Sequence, residues 1–345
     1  MINADRFARV RMKRLLLLLL LFGLLACGLL PVPQPTPTPV PTATPTAIPT
    51  ASTPEAALGT DKNPLILALA PSAHPTPDVI DAGNTLKSLL EKATGYKVVT
   101  VIPPNETELV QGFGIGNAHI GVLSPFGYLM ASNEGHAEAA FARQKDGGIF
   151  YGAQFIVRKD AGFISYFDPI KDQNTLDASQ ALIQFRDKKP CWTDELSPSG
   201  YVVPLGFLGE AHVKTSAPAF LASHPAVVRA VYAQGICDFG ATYVDARAYP
   251  GLEDEYPDVM KKVMVVWRVP PIIPYETMVF APGMSVDMRR ALIRAFVDLM
   301  STPDGKRAMQ TLYGMDAITV VRDNQYDEFR KAVSASGLDL SSLIK

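Results

Sequence analysis

A polar turn at residues 197–200 carries the clearest chemistry in this sequence. It reads Ser197-Pro198-Ser199-Gly200 and stands between an apparent strand and an apolar run. Backbone amides exposed at the start of a helix, together with the helix dipole, favour the binding of an oxyanion, and the two serines add hydroxyl donors. The alternative is an ordinary serine N-cap followed by proline in the first helical position. The sequence leaves both interpretations open.

Two further helix starts carry polar side chains. Ser124 and Pro125 end a predicted strand, and Tyr128 follows one turn into the next helix. Placed across a cleft from residues 197–200, this turn would complete an anion site. His224 stands at or just before another helix start, where it either contacts a ligand or caps its helix in solvent.

Short apolar strands alternate with helices from residue 63 onward. An apolar run at 63–72 precedes a helical pattern at 78–95, and a β-branched strand follows at 96–102. A short helix then leads to a strand that ends at Ser124. This βαβαβ pattern predicts a mostly parallel sheet with ligand access at the carboxyl ends of its strands.

The pattern begins again after a long aromatic strand at 150–162. The elements predicted in this half are strands at 190–193 and 236–246 and helices at 224–235, 285–300 and 302–314. A second long strand, at 262–283, is predicted to break at Pro270, Pro271 and Pro274. Two α/β lobes joined by these two long strands are therefore expected.

The N-terminus has the pattern of a lipoprotein signal peptide. Five basic residues precede the apolar run Leu15–Leu25, which ends in the lipobox Leu-Leu-Ala-Cys at Cys27. A transmembrane helix is the alternative, but the uncharged stretch 15–30 has about 16 residues and spanning needs roughly 20. We expect removal of residues 1–26 and lipidation of Cys27. A start at Met12 would give the same mature protein.

A proline-rich segment follows the signal. From residue 31 to 54 proline alternates with threonine, alanine and valine, which excludes a regular hydrogen-bonded helix or sheet. An extended tether of about 24 residues at about 3.1 Å each reaches up to about 70 Å from the membrane. We assign residues 27–62 to this tether and expect the folded part to begin near Asp61.

The folded part is net acidic. Residues 1–26 carry five basic groups and one acidic group, so their removal changes the formal charge from −2 to −6. The remaining chain of about 285 residues suffices for a two-lobed body, and its charge argues against a nucleic-acid partner. Beside Cys27, Cys191 and Cys237 are left either as a disulfide or as two buried thiols.

Few residues suit catalysis. The sequence has five histidines, no Gly-x-Ser-x-Gly elbow, no His-Glu-x-x-His motif and no spaced Cys/His ligand set. A secreted hydrolase with Ser199 or Cys191 as nucleophile is therefore disfavoured. We expect no enzyme activity, no metal and no cofactor.

Seven segments resemble, in order and approximate spacing, the substrate-binding proteins of phosphate, phosphite and phosphonate ABC importers. They cover nearly all of residues 64–310 and include LSPFGYL, DELSPSGYVVP and SHPAVVRAVYAQGICDFGATYVDA. The resemblance implies a type 2 periplasmic-binding-protein fold, an α/β fold whose two lobes are mostly parallel sheets flanked by helices and joined by two hinge strands. Residues 63–157 and 275–345 are assigned to lobe I and 158–274 to lobe II.

The same resemblance implies the ligand-binding residues. They are Ser124, Tyr128, Ser197, Ser199, Gly200, His224, Tyr275 and Glu276. Two departures from the family pattern alter the site. Pro198 replaces a residue that brings a hydroxyl and an amide, and Asn105-Glu106 stands near where many members have Asp-Tyr, so an aromatic wall is missing or moved.

We therefore expect a monomeric, lipid-anchored extracytoplasmic protein that captures a small phosphorus oxyanion and passes it to an ABC transporter permease. Ser197, Ser199 and nearby amides hold the anion, His224 adds a donor or a positive charge, and Tyr128 closes from the other lobe. Glu276 meets the amine of a zwitterionic ligand. The alternatives are another small anionic or zwitterionic solute, and a ligand-sensing partner of a membrane receptor.

Overall fold

The computed structural model describes residues 57–344. The predicted signal peptide, Cys27 and the tether up to residue 56 lie outside the described residues. Among the helices within 57–344, none has the length and apolar character needed to cross a bilayer.

The chain joins the folded body slightly earlier than expected. Leu58 packs against the hydrophobic core, and the carbonyl of Gly59 accepts a 2.9 Å hydrogen bond from the amide of Lys97. The contacts of the body therefore begin ahead of Asp61.

Strands and helices alternate along the described residues. The strands are β1 (Leu65–Ala68), β2 (Val98–Val101), β3 (Ile120–Leu123), β4 (Glu138–Arg143), β5 (Phe150–Arg158), β6 (Phe167–Asp168), β7 (Gln173–Asn174), β8 (Pro190–Trp192), β9 (Ala219–Phe220), β10 (Phe239–Tyr243), β11 (Val263–Pro274), β12 (Thr277–Phe280) and β13 (Ile318–Val320). The α-helices are α1 (Pro77–Thr94), α2 (Glu106–Gly114), α3 (Pro125–Asn133), α4 (Ala178–Ala181), α5 (Val203–Glu210), α6 (His224–Ala233), α7 (Leu252–Glu255), α8 (Val259–Lys262), α9 (Val286–Leu299), α10 (Pro303–Tyr313) and α11 (Asp327–Ala335). A π-helical turn at Pro198–Val202 leads into α5.

The first lobe is built on a six-stranded sheet in the order β13-β4-β12-β3-β1-β2. Strand β1 runs parallel to β2 and β3, whereas β12 is antiparallel to both of its neighbours. All four residues of β3 are buried, as expected for a central strand covered on both faces. Leu86 and Leu90 of α1 are fully buried, and Gly95 ends that helix in the left-handed region at φ 76°.

The second lobe contains a five-stranded sheet in the order β11-β5-β10-β8-β9. Strands β8, β9 and β10 are parallel, and β5 and β11 run antiparallel to their partners. The expected two-lobed α/β fold is confirmed, but both sheets are mixed rather than mostly parallel. Strand β5, which follows the first crossing between the lobes, and β12, which follows the second, each run antiparallel to both of their neighbours.

Both long strands belong to the second sheet. Strand β5 pairs with β10 and β11 along its length, although lobe I was predicted to extend to residue 157. Strand β11 is not broken at Pro270 and Pro271, because it lies at the edge of the sheet, where a missing amide removes no ladder hydrogen bond. A register shift between Val269 and Ile273 absorbs the prolines.

Neighbouring strands bring the two remaining cysteines together. Cys191 lies on β8 and Cys237 just precedes β10, the parallel neighbour of β8. Their Cα atoms are 5.6 Å apart and their sulphur atoms are joined in a disulfide. Of the two alternatives that the sequence left open, the structure has the bridge.

The C-terminal helix α11 contacts both lobes. Its Phe329 stacks on Phe126 of the first lobe at 5.8 Å between ring centroids. On its other side it meets α5 of the second lobe so closely that a Cβ added to Gly206 would lie 2.0 Å from the carbonyl oxygen of Ala332. The segment predicted to belong wholly to lobe I thus forms a third link between the lobes.

Candidate functional site

The second-lobe turn, residues 193–200, follows strand β8 and opens the helical segment that becomes α5. The hydroxyl of Ser197 accepts a 3.0 Å hydrogen bond from the amide of Gly200, so this serine is the N-cap of the π-helical turn. Gly200 is required here, because a Cβ would lie 2.0 Å from Oγ1 of Thr193. The geometry supports the N-cap interpretation for Ser197.

Thr193 carries a buried hydroxyl without a partner. The residue is 1% exposed, and within the described part of the chain its Oγ1 atom makes no hydrogen bond. An unpaired buried hydroxyl is unfavourable by about 1–3 kcal/mol, and such a group at a binding site is a candidate for contact with a ligand. Thr193 was not among the predicted site residues, and its only local signal in the sequence is a threonine directly after a strand.

Ser199 lies beside an aromatic pair. It is 2% exposed, and its hydroxyl acts on the phenol of Tyr151 at the start of β5, where it opposes the rise in the pKa of that phenol. Burial raises the pKa of Tyr151 to about 12, so the phenol stays neutral. Tyr275 stacks on Tyr151 with 5.0 Å between ring centroids. Tyr275, predicted from the resemblance, is therefore linked to the second-lobe turn through Tyr151, which was not predicted.

His224 is a neutral imidazole at the start of α6. Burial lowers its pKa to about 4, although the charge of Asp194 opposes the shift. Its Nδ1 atom accepts a 3.2 Å hydrogen bond from the amide of Tyr243, which leaves the proton on Nε2. The helix already has an N-cap in Ser223. At neutral pH His224 can thus donate a hydrogen bond but supplies no positive charge.

Ser124 in the first lobe is occupied by an internal carboxylate. Oxygen atoms of Glu106 accept hydrogen bonds from the amide of Ser124 at 2.5 Å and from its hydroxyl at 2.8 Å. Burial raises the pKa of Glu106, the bonds from Ser124 lower it, and the charge of Glu276 raises it again, leaving it above the ordinary value. We call Glu106 and Ser124 the first-lobe wall. Both hydrogen-bond donors of Ser124, its amide and its hydroxyl, are already bound to Glu106.

Tyr128 has partners within the first lobe. It is fully buried, and its hydroxyl donates a 2.6 Å hydrogen bond to Asp323. Burial and the hydrogen bond to Asp323 raise its pKa. Its ring packs on Tyr326 at 4.5 Å, beside a surface cavity of about 590 Å³ on the first lobe. That Tyr128 closes the cleft stays a prediction, and such a role would require its hydrogen bond to Asp323 to break.

Glu276 is half-buried in the second crossing between the lobes. One of its oxygen atoms lies 3.0 Å from the guanidinium of Arg143, so its charge is already balanced. The predicted contact with a ligand amine would have to compete with this ion pair.

The predicted residues therefore fall into two groups. The second-lobe turn, Tyr275 and His224 lie at or beside the carboxyl ends of β8, β10 and β11, whereas Ser124 and Tyr128 are committed to first-lobe partners. Carboxyl ends of parallel strands are the usual place for a ligand in α/β folds. Within residues 57–344 no three His, Cys, Asp or Glu side chains converge on a metal-binding arrangement.

Comparisons with known proteins place this geometry in a family. Residues 71–326 match the family described as the periplasmic substrate-binding protein of the phosphonate ABC transporter. The phosphate-import protein PhnD of Mycolicibacterium smegmatis is 30% identical over 190 residues, which cover 52% of this chain and 54% of that protein. The chain thus spans about half the length of this relative.

Solved structures share the fold at low identity. XAC2383 from Xanthomonas citri bound to ATP has a TM-score of 0.56 and 14% identity, over 81% of this chain and 99% of that one. Mh-p37 from Mycoplasma hyorhinis has a TM-score of 0.50 and 10% identity, over 78% and 98%. Because the family match covers more than half of the sequence and agrees with the two-lobed architecture, the chain belongs to the periplasmic substrate-binding proteins of phosphonate ABC transporters, a family of binding proteins and not of enzymes.

Proposed function

We propose that this protein captures a small phosphorus oxyanion, such as a phosphonate, phosphite or phosphate, between its two lobes and delivers it to the permease of an ABC importer. The unpartnered hydroxyl of Thr193 in the second-lobe turn is the observation that carries the proposal. It lies against Gly200 in the first turn of a helical segment, where amides and the helix dipole favour an anion.

The anion is held by neutral donors. The hydroxyls of Thr193 and Ser199 and the Nε2–H of His224 supply three donors, and Ser197 holds the backbone of the turn in place. A pocket of oriented dipoles binds an anion without a formal counter-charge. Tyr151 and Tyr275 form an aromatic surface beside the donors, where the carbon substituent of a phosphonate finds apolar contact.

The protein is anchored by a lipid on Cys27 at the extracytoplasmic face of the membrane. The lipobox and the proline-rich segment support this part of the proposal. A tethered binding protein stays near its permease, which raises the local concentration of ligand-loaded protein at the transporter.

Calorimetric titration of the purified protein tests the proposal. Phosphate, phosphite, methylphosphonate and 2-aminoethylphosphonate are titrated separately, and binding of at least one with a 1:1 stoichiometry is expected. If none of the four binds at millimolar concentration, the assignment to phosphorus oxyanions is wrong. Adenosine monophosphate serves as a bulky phosphate control that a closed cleft of this kind should exclude.

A further inference from the structure

The start of helix α3 is already occupied by an anion from the chain itself. Both oxygen atoms of the Glu106 carboxylate are bound to Ser124, at 2.5 Å to its amide and 2.8 Å to its hydroxyl. Gly127 makes room for the carboxylate, since a Cβ at that position would lie 2.3 Å from Oε1 of Glu106. A ligand therefore meets a carboxylate at this wall instead of free amide donors.

The first-lobe wall lies on the side of the sheet where a ligand is expected. Ser124 follows β3, and Glu106 begins the helix that follows β2, so both stand at carboxyl ends of strands parallel to β1. Glu106 is within electrostatic range of Glu276, which lies in the second crossing between the lobes. Glu276 in turn acts on Tyr151, the partner of Ser199 in the second-lobe turn.

Helix capping alone does not account for Glu106. Helix α3 has its own cap, because the hydroxyl of Ser124 accepts a hydrogen bond from the amide of Gly127 at 3.1 Å. Helix α2 is likewise capped by Asn105. Within residues 57–344 Glu106 has no cationic partner, whereas Arg143 neutralises Glu276. When Glu106 is ionised, its negative charge is therefore held by the hydrogen bonds from Ser124 alone, with no cation to balance it.

We propose that Glu106 determines specificity by requiring the ligand to present a hydrogen-bond donor to the first-lobe wall. The inference rests on the proposed function. A P–OH group of a singly protonated phosphorus oxyanion, or an N–H group of a zwitterion, forms a charge-assisted bond with the carboxylate. A ligand whose oxygen atoms all lack a hydrogen places its negative charge next to the negative carboxylate of Glu106, which is unfavourable.

Methylphosphonate and methanesulfonate provide a direct test. They have similar size and shape, but at neutral pH only the phosphonate has a form with an acidic hydrogen. We expect the wild type to prefer methylphosphonate by at least about tenfold. In Glu106→Gln the amide donates to a bare oxygen, so methanesulfonate should gain affinity and the preference should shrink by about tenfold or more. Titration of 2-aminoethylphosphonate and ethylphosphonate into the wild type and into Glu106→Gln distinguishes an N–H donor from a P–OH donor.

Two further variants control the test. Glu108→Gln removes the same charge from an exposed position in the same helical turn and should leave the ratio unchanged. Gly127→Ala keeps Glu106 but displaces its carboxylate, and should reduce the preference as Glu106→Gln does. Equal weakening of both ligands in Glu106→Gln, with an unchanged ratio, would mean that Glu106 only supports the fold and would overturn this inference alone. Failure of the wild type to bind either ligand, or any phosphorus oxyanion, overturns the proposed function and this inference with it.

Discussion

Replacing Thr193 with valine should change stability and affinity in opposite directions. Valine has the shape of threonine without the hydroxyl, and this hydroxyl is buried without a partner in the ligand-free protein. Removing an unpaired buried hydroxyl relieves a desolvation cost of about 1–3 kcal/mol. We expect the free energy of unfolding to rise by about 1 kcal/mol, which is about 2 °C in Tm for a body of this size. If the hydroxyl binds a charged oxygen of the ligand, affinity should fall by about 1.5–3 kcal/mol, or about 10- to 150-fold.

Thr193→Ser is the matched control, with unchanged affinity and lower stability. Serine keeps the hydroxyl and loses a buried methyl group, so the variant should bind as the wild type does and unfold about 1 kcal/mol more easily. Calorimetric titration with methylphosphonate measures affinity, and thermal melts without ligand measure stability. A Thr193→Val protein that binds as tightly as the wild type would show that the hydroxyl does not contact the ligand. A lower Tm for that variant would show that the hydroxyl has a partner within the fold.

Four further outcomes follow from the same structure. Ser197→Ala should lower the free energy of unfolding by about 1 kcal/mol with little change in affinity, since its oxygen caps the amide of Gly200, and denaturant melts with parallel titrations would detect the reverse. Replacing Cys191 and Cys237 together by serine should cost about 4 kcal/mol of stability in the chain-entropy model, and labelling of the unreduced, denatured wild type should find neither thiol free. The pKa of His224 is about 4 in the folded protein and near 6.5 in the unfolded chain. The neutral imidazole therefore stabilises the fold fully above pH 6.5, and this stabilisation is lost as the pH falls toward 4. In His224→Gln this loss of roughly 3 kcal/mol should be absent when the free energy of unfolding is measured against pH. Cys27→Ser should leave an uncleaved precursor, and normal cleavage after residue 26 in a fractionation experiment would contradict the lipobox.

Much of the architecture follows from local patterns in the chain. The helix predicted at 78–95 is found at Pro77–Thr94, because apolar spacing places Leu86 and Leu90 on one face and Gly95 provides the left-handed stop. The strand at 262–283 was predicted to break at Pro270, Pro271 and Pro274; it continues through Pro270 and Pro271 but ends at Pro274, and Thr277–Phe280 is a separate strand of the first sheet. Whether proline interrupts a strand depends on its place in the sheet, which a single segment does not reveal.

Local sequence patterns predicted the candidate site less completely than they predicted the fold. A serine followed by proline fits both an N-cap and an anion seat, and only the 3.0 Å bond to Gly200 assigns the Ser197 hydroxyl to capping. Tyr151 reaches the second-lobe turn from a strand that is distant in sequence, and the Thr193 hydroxyl matters because tertiary packing leaves it unpaired. Glu106 was identified as a departure from a family pattern, but its bonds to Ser124 depend on how two helices meet at one sheet edge.

The contacts of α11 decide which lobe carries the C-terminus when the cleft opens. The backbones of α5 and α11 meet at Gly206 with no side chain between them. The two helices would therefore have to move apart before one could slide along the other. The rings of Phe126 and Phe329, stacked at 5.8 Å, can shear past one another at small cost. The closest backbone contact of α11 is therefore with the second lobe, although β13 before it is a strand of the first sheet. The segment Asp323–Tyr326 between them is bound to the first lobe, since Tyr128 donates a hydrogen bond to Asp323 and packs on Tyr326, so the chain changes lobe between this segment and the α5 contact of α11.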